Sequence, residues 1–240
     1  MNTILNKLKD DKEYYHGVGK KYLSNSDIAA LLTNPKRYGV PREDDVNLAK
    51  GRLFHQMLLE PSKAIDFEII DVSSRNTKKY KDAITIDKPF ILLEKEVEEV
   101  KRYVGAINSN YDFWNIVNGT EHEVPAVGEL FGVQWKGKAD IVTEHDIYDL
   151  KTTRTLKDFK WSARRYNYDS QAYIYQMLFG KPMTFLVVCK DTLDIGWYTC
   201  SDDFIAGGEE KVKKAVDVYE TFFGPNPTDD IGSYYHREVL

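Results

Sequence analysis

Asp140, Asp149 and Lys151 are the residues of this chain best suited to chemistry. They lie in Gly137-Lys138-Ala139-Asp140-Ile141-Val142 and in Ile147-Tyr148-Asp149-Leu150-Lys151-Thr152-Thr153. Each carboxylate interrupts a short apolar run that otherwise reads as core, and an unpaired charge buried there is costly. A divalent cation is the natural partner for two such acids, because it removes their mutual repulsion. The lysine is then left to handle a water or a phosphate. That combination is the outline of metal-assisted hydrolysis.

Two strands must position these groups. Residues 133–142 and 146–152 read as a hairpin with Glu144-His145 at its turn. A register that pairs Thr143 with Asp146 also sets Asp140 opposite Asp149, with Cβ atoms about 5 Å apart. Glu-His is a poor two-residue hairpin loop, and a four-residue loop over 143–146 keeps the same register. Strand alternation puts Lys151 on the side of Asp149. The alternative is an exposed Asp149–Lys151 salt bridge on an edge strand. Asp140 at matching register weighs against it.

Four further residues could join this group. His55 follows Gly51 by one helical turn on the same face. A glycine inside a helix costs about 1 kcal/mol relative to alanine, and one use for it is close approach of this helix to the sheet. A histidine satisfied by ordinary hydrogen bonds is the alternative. Glu123, in Glu121-His122-Glu123-Val124-Pro125, reads equally as a third acid near the site or as an exposed edge carboxylate. Glu129 falls in the next turn. Gln171 and Tyr175 share a helix face and could orient a phosphate or a water, or could be plain helix packing.

The remaining elements frame this centre. Residues 24–38 read as a helix opened by a Ser24/Asp27 capping box and ended by Pro35. Residues 46–59 form a second helix, 66–72 a strand, 73–87 a mobile polar loop and 90–108 an acidic amphipathic helix. Strands follow at 121–127, 133–142 and 146–152. One long helix over 156–179 stops at Gly180-Lys181-Pro182. Strands at 183–190 and 195–200 and a helix over 203–223 close the order, and residues 1–21 and the tail after Pro225 read as loose. This is an α/β (α+β) pattern, a mixed sheet flanked by helices. The expected division is an extension at 1–21, one domain over 22–224 and a tail.

Composition excludes several classes. The 240 residues are 42% hydrophobic and 13% aromatic, which suits one large domain. No apolar run approaches the ~20 residues needed to span a bilayer, and the first ten residues lack a signal-peptide core. Cys189 and Cys200 cannot build a disulfide framework or a four-thiolate iron–sulfur site. A cytoplasmic protein is expected. The net charge of −5 gives no global pull on nucleic acid. Basic residues cluster locally, however. Lys151, Arg154, Lys157, Lys160, Arg164, Arg165, Lys181 and Lys190 face only Asp158 and Asp169 over that stretch, and Arg75, Lys78, Lys79 and Lys81 form a second group. A basic track beside an acidic site fits a phosphate-backbone substrate; a solvated helix face is the alternative.

Gly51-x-x-x-His55, Gly137-Lys138-Ala139-Asp140, Asp149-Leu150-Lys151-Thr152-Thr153 and Gln171-x-x-x-Tyr175 together resemble the RecB/RecE-type branch of the PD-(D/E)xK nuclease superfamily. Tyr22-Leu23-Ser24-Asn25-Ser26 and Asn34-Pro35 are similar to the small RecE-like exonucleases of phages. The resemblance spans residues 20–222 and implies a restriction-endonuclease-like core, a Mg²⁺- or Mn²⁺-dependent site and exonucleolytic DNA hydrolysis in phage-type recombination or DNA processing. It implies Asp140 and Asp149 as metal ligands, joined by His55 and Glu123, with Lys151 acting on the water. Gln171 would serve both catalysis and substrate binding, alongside Tyr175, Arg154, Arg164 and Arg165. A single-strand annealing or recombination protein, a homo-oligomer, and a bacterial or phage-infected host cell belong to the same set of expectations. The chain departs from the iron–sulfur-clasped relatives, which need four cysteines. A structure-selective endonuclease and a non-catalytic DNA-binding or assembly protein are the rival functions; a hydrolase of small phosphate esters fits the long basic helix poorly.

Overall fold

The structure, a computed structural model, describes residues 2–41, 43–65, 67–85 and 88–236. The chain runs through α1 (Asn2–Leu8), α2 (Asp11–Tyr15), α3 (Asn25–Thr33), α4 (Val46–Leu59), α5 (Pro61–Ala64), β1 (Ile69–Ile70), α6 (Lys78–Ala83) and β2 (Leu92–Leu93). It continues with α7 (Glu94–Asn108), α8 (Tyr111–Val117), β3 (Glu121–Leu130), β4 (Val133–Val142), β5 (Ile147–Thr153), α9 (Phe159–Arg165), α10 (Tyr168–Phe179), β6 (Met183–Cys189), β7 (Ile195–Thr199) and α11 (Asp202–Phe222). Among the described residues, β3-β4-β5-β6-β7 form one sheet in that order. Within this sheet the β5–β6 pairing is parallel and the other described pairings are antiparallel, and α9 and α10 make the parallel crossover.

Alternation along the strands builds a core on each face. Ile147, Met183, Phe185 and Val187 pack with α3, α10 and α11. Tyr148, Leu150, Leu186 and Val188 pack with α4, α7 and α8. The mixed sheet flanked by helices is the architecture read from the sequence. β5 is paired on both sides and Asp149 is buried, so its charge does not lie on an exposed edge.

Several elements differ from expectation. Residues 2–21, read as loose, fold as two helices and a 3₁₀ turn with Leu8 and Tyr14 buried. Two lysines of β4 hold them. Lys138 Nζ donates to Asp11 Oδ1 at 2.6 Å, and Lys136 and Lys138 sit 4.3 and 4.6 Å from the Tyr14 ring. The strand at 66–72 shrinks to Ile69–Ile70 beside Leu92–Leu93, and the next helix begins at Glu94; Asp66 and Asp87 of the expected ranges lie outside the described residues. The loop after it contains α6, capped by Thr77, whose side chain accepts from Tyr80 N. Arg75 is not part of an open basic patch. Its guanidinium forms a two-pronged pair with Glu96, 2.7 Å on each side, and covers the Phe90 ring. Glu129 lies within β3 opposite Gln134, because the turn falls at Phe131-Gly132 with positive φ at both. The helix over 156–179 is two helices, broken where Asn167 adopts φ 59°. The tail is tied back by Thr228 N–H to Thr221 O at 3.0 Å.

Candidate functional site

The sheet splits between β4 and β5. Among the described residues their ladder comprises Ile141↔Tyr148 and Val142↔Ile147, closed by Thr143 N–H to Asp146 O at 2.9 Å. This is the register that aligns Asp140 with Asp149. Past that point β5 follows β6, while the edge of β4 near Trp135 bonds Leu23 instead.

Side chains fill the gap, as buried backbone groups require. From one face, α10 reaches both strands with residues one turn apart. Gln171 donates to Asp149 Oδ1. The Tyr175 hydroxyl donates to Lys138 O at 3.1 Å and takes Lys138 N–H at 3.3 Å. A Cβ on Gly137 would stand 2.8 Å from the Tyr175 ring, so glycine admits the ring here. From the other face comes His55 of α4. Leu150 gives its N–H to Asp140 Oδ2 at 2.7 Å and its carbonyl to His55 Nε2 at 2.9 Å. A carbonyl accepts, so Nε2 carries the hydrogen and Nδ1 is left for a proton or a metal. Nδ1 lies 3.3 Å from Asp140 Oδ2.

Glu123 completes this side. It stands between the pairs His122↔Ile141 and Val124↔Ala139, opposite Asp140, with φ 49°. A left-handed glutamate is strained backbone of the kind that collects at functional positions. β4 changes phase at the same place: Trp135 and Ala139 belong to one core, Ile141 to the other. Donor atoms of His55, Glu123 and Asp140 all lie within 4.8 Å of one another. One imidazole nitrogen and two carboxylates, with Asp140 and His55 oriented by the Leu150 peptide, fit a divalent cation.

The electrostatics point the same way. Burial opposes a charge on His55, but the field and hydrogen bond of Asp140 overcome it and raise the imidazole to about 9. Burial, then the Asp140 charge, raises Glu123 to about 8. Burial works against Asp140 ionising as well, yet His55 and Lys151 hold its carboxyl below the usual range. Across the gap, burial lifts Asp149 to about 6 against the pull of Lys151. Burial disfavours the Lys151 ammonium, but Asp149 raises it to about 12, so it stays charged at neutral pH. Lys151 pairs with Asp149 Oδ2.

The structure therefore brings His55, Glu123 and Asp140 together, and sets Asp149, Lys151 and Gln171 beside them as a second group. Asp149 is not among the three residues whose donor atoms converge, because its oxygens face Lys151 and Gln171. Tyr175 does not line a groove; its hydroxyl is spent on Lys138 and buried. Arg165 contacts Tyr166 at the surface, Arg164 is tied to Asp203 at 2.6 Å, and Arg154 lies 3.7 Å from Asp191. Gly51 does not serve close packing, since nothing lies within 4 Å of where its Cβ would be. The sequence reading missed Tyr168, whose ring lies 4.8 Å from the Lys151 ammonium. Its spacing of three from Gln171, on one helix face, was the available signal.

Residues 21–223 match the family model described as a PDDEXK-like domain of unknown function (DUF3799). The chain belongs to this PDDEXK-like family. Among solved structures, a protein from Eubacterium rectale named "Putative exonuclease" is similar over 96% of this chain and 95% of its own, at 19% identity and a TM-score of 0.67. That likeness establishes a shared fold. A phage related exonuclease from Haemophilus somnus 129PT is matched over 83% of this chain and 94% of its own, at 13% identity and a TM-score of 0.36. No curated protein matches the sequence. Among the described residues, no helix is long and apolar enough to cross a membrane.

Proposed function

We propose that this chain is a metal-dependent deoxyribonuclease acting from DNA ends, with residues 22–224 as its nuclease domain. The observation that carries this reading is the convergence of His55, Glu123 and Asp140 beside the Asp149–Lys151 pair. The three residues would hold a divalent cation, which when bound supplies Lewis acidity and offsets the charge of a phosphodiester. The imidazole ligand favours Mn²⁺ over Mg²⁺, which prefers oxygen donors. Lys151, charged at neutral pH, donates rather than abstracts protons: it positions the attacking water or steadies negative charge on the phosphate. Gln171 fixes the carboxylate of Asp149, and Asp149 in turn holds Lys151 in place. Tyr175 braces β4, so the two acids keep their spacing. Arg165 would contact the DNA backbone at the rim.

The test is digestion of end-labelled linear and covalently closed circular DNA, each as single strands and as duplex, with Mn²⁺, Mg²⁺ or EDTA. Loss of linear DNA that chelation stops, with circles intact, is the expected result. Cleaved circles would make the enzyme an endonuclease. No cleavage with either ion at enzyme excess would leave a DNA-binding protein on a nuclease fold.

A further inference from the structure

We propose that Tyr168 and Tyr166 form a stacking path by which an unpaired DNA strand reaches Lys151, so that single-stranded DNA is the substrate class. The proposal rests on the nuclease reading above. The Tyr168 ring lies 4.8 Å from the Lys151 ammonium and 5.6 Å from the Phe185 ring. The Tyr166 ring stands 6.0 Å from that of Tyr168, tilted by 42°, and is 56% exposed. The Arg165 guanidinium sits 5.0 Å from the Tyr166 ring and donates to its hydroxyl at 3.1 Å. Trp161, 65% exposed, is one turn back on the face of Arg165, with the Lys160 ammonium 4.9 Å from its ring. An aromatic series with interleaved cations thus runs outward from the reactive ammonium.

The series is held by the fold. Left-handed Asn167 separates the two tyrosines. Its carbonyl accepts from Asn25 Nδ2 at 3.1 Å, and its side chain accepts from Lys211 Nζ at 3.0 Å. Asparagine adopts the left-handed conformation readily, and these partners fix the turn between the two rings. The core has its own aromatics on this face, and Tyr166 and Trp161 add little to it from their exposed positions.

These groups favour an unpaired strand over a duplex. A base within a duplex is covered on both faces by its neighbours and must be unstacked before a side chain can take it. A duplex is held mainly through phosphates, by cations available to them. Here Arg164 is tied to Asp203 and Arg75 to Glu96, while the rings of Tyr166 and Trp161 remain more than half exposed. Stacking accepts any base, so the path would impose little sequence preference.

The experiment is fluorescence anisotropy in EDTA with a labelled oligothymidylate and with a labelled duplex of equal length. The wild-type chain should bind the single strand more tightly. Tyr166→Ala should weaken that binding about ten-fold, with duplex binding and melting temperature unchanged, and Tyr166→Trp should restore it. Equal or tighter duplex binding by the wild type, or unchanged single-strand affinity in Tyr166→Ala, overturns the proposal. Cleavage of the same oligonucleotide with Mn²⁺ is scored separately. A chain that binds single strands through Tyr166 but never cuts them keeps the path and removes the nuclease reading.

Discussion

The two sides of the split sheet handle charge in opposite ways. On the β3–β4 side, two carboxylates share one imidazole, and the set becomes negative only as Glu123 and His55 give up their protons, at about 8 and about 9. On the β5 side, Asp149 is matched by Lys151 and steadied by Gln171, so that pair is neutral by itself. The first set has donor atoms placed to take a cation; the second already holds its own. On the proposed function, the difference teaches a division of labour, with the metal held by one strand pair and the positioned ammonium supplied by the other.

The largest expected effect comes from Asp140→Asn. It keeps an acceptor for Leu150 N–H but removes the charge shared with His55. Cleavage should fall at least about 1,000-fold, and the rise in melting temperature on adding Mn²⁺ should vanish. If Mn²⁺ still stabilises the variant, the His55, Glu123 and Asp140 set is not the metal centre. Lys151→Met comes next, with turnover reduced about 100- to 1,000-fold and Mn²⁺ affinity kept within about two-fold of the wild type. Parallel loss of Mn²⁺ affinity, read by calorimetry, would merge the two sides into one unit.

The charge difference also has a pH signature. The ion binds the deprotonated forms, and His55 and Glu123 titrate at about 9 and about 8 in the metal-free protein. Mn²⁺ affinity should therefore rise from pH 7 to pH 9, up to about ten-fold per pH unit for each proton released. Calorimetry in buffers of different ionisation enthalpy counts those protons; a flat profile with none released contradicts the assignment. The smallest effect is expected at Gly51. Open space around it means Gly51→Ala should add up to about 1 kcal/mol of stability, seen as a higher urea midpoint. A loss of cleavage despite that gain would mean that DNA passes over this bare helix surface.

The hairpin register was legible because apolar alternation and a four-residue turn admit few pairings, and Thr143–Asp146 fixed the rest. Helix α4 was legible from its amphipathic run and from Pro61 just beyond it. The PDDEXK-like fold followed from four spaced motifs. The break at Asn167 was hidden, because the apolar pattern of α9 continues into α10 and the left-handed turn depends on Lys211 and Asn25, which are distant in sequence. The N-terminal helices were hidden for a similar reason. Their few apolar residues promise little burial, and the Asp11–Lys138 and Tyr14–Lys136 contacts exist only once β4 is in place. Glu123 could be named as an acid near the site, but its positive φ, which coincides with the phase change of β4, leaves no mark in the residue pattern.

Gln171 and Tyr175 grip opposite sides of the opening, and they sit four residues apart on one helix. Four residues of α-helix rise about 6 Å. One helical turn is therefore a ruler for the cleft, set by peptide geometry rather than by the packing of a loop. Changes elsewhere in the sheet can tilt the two strands, but the distance between them should hold until α10 itself unwinds.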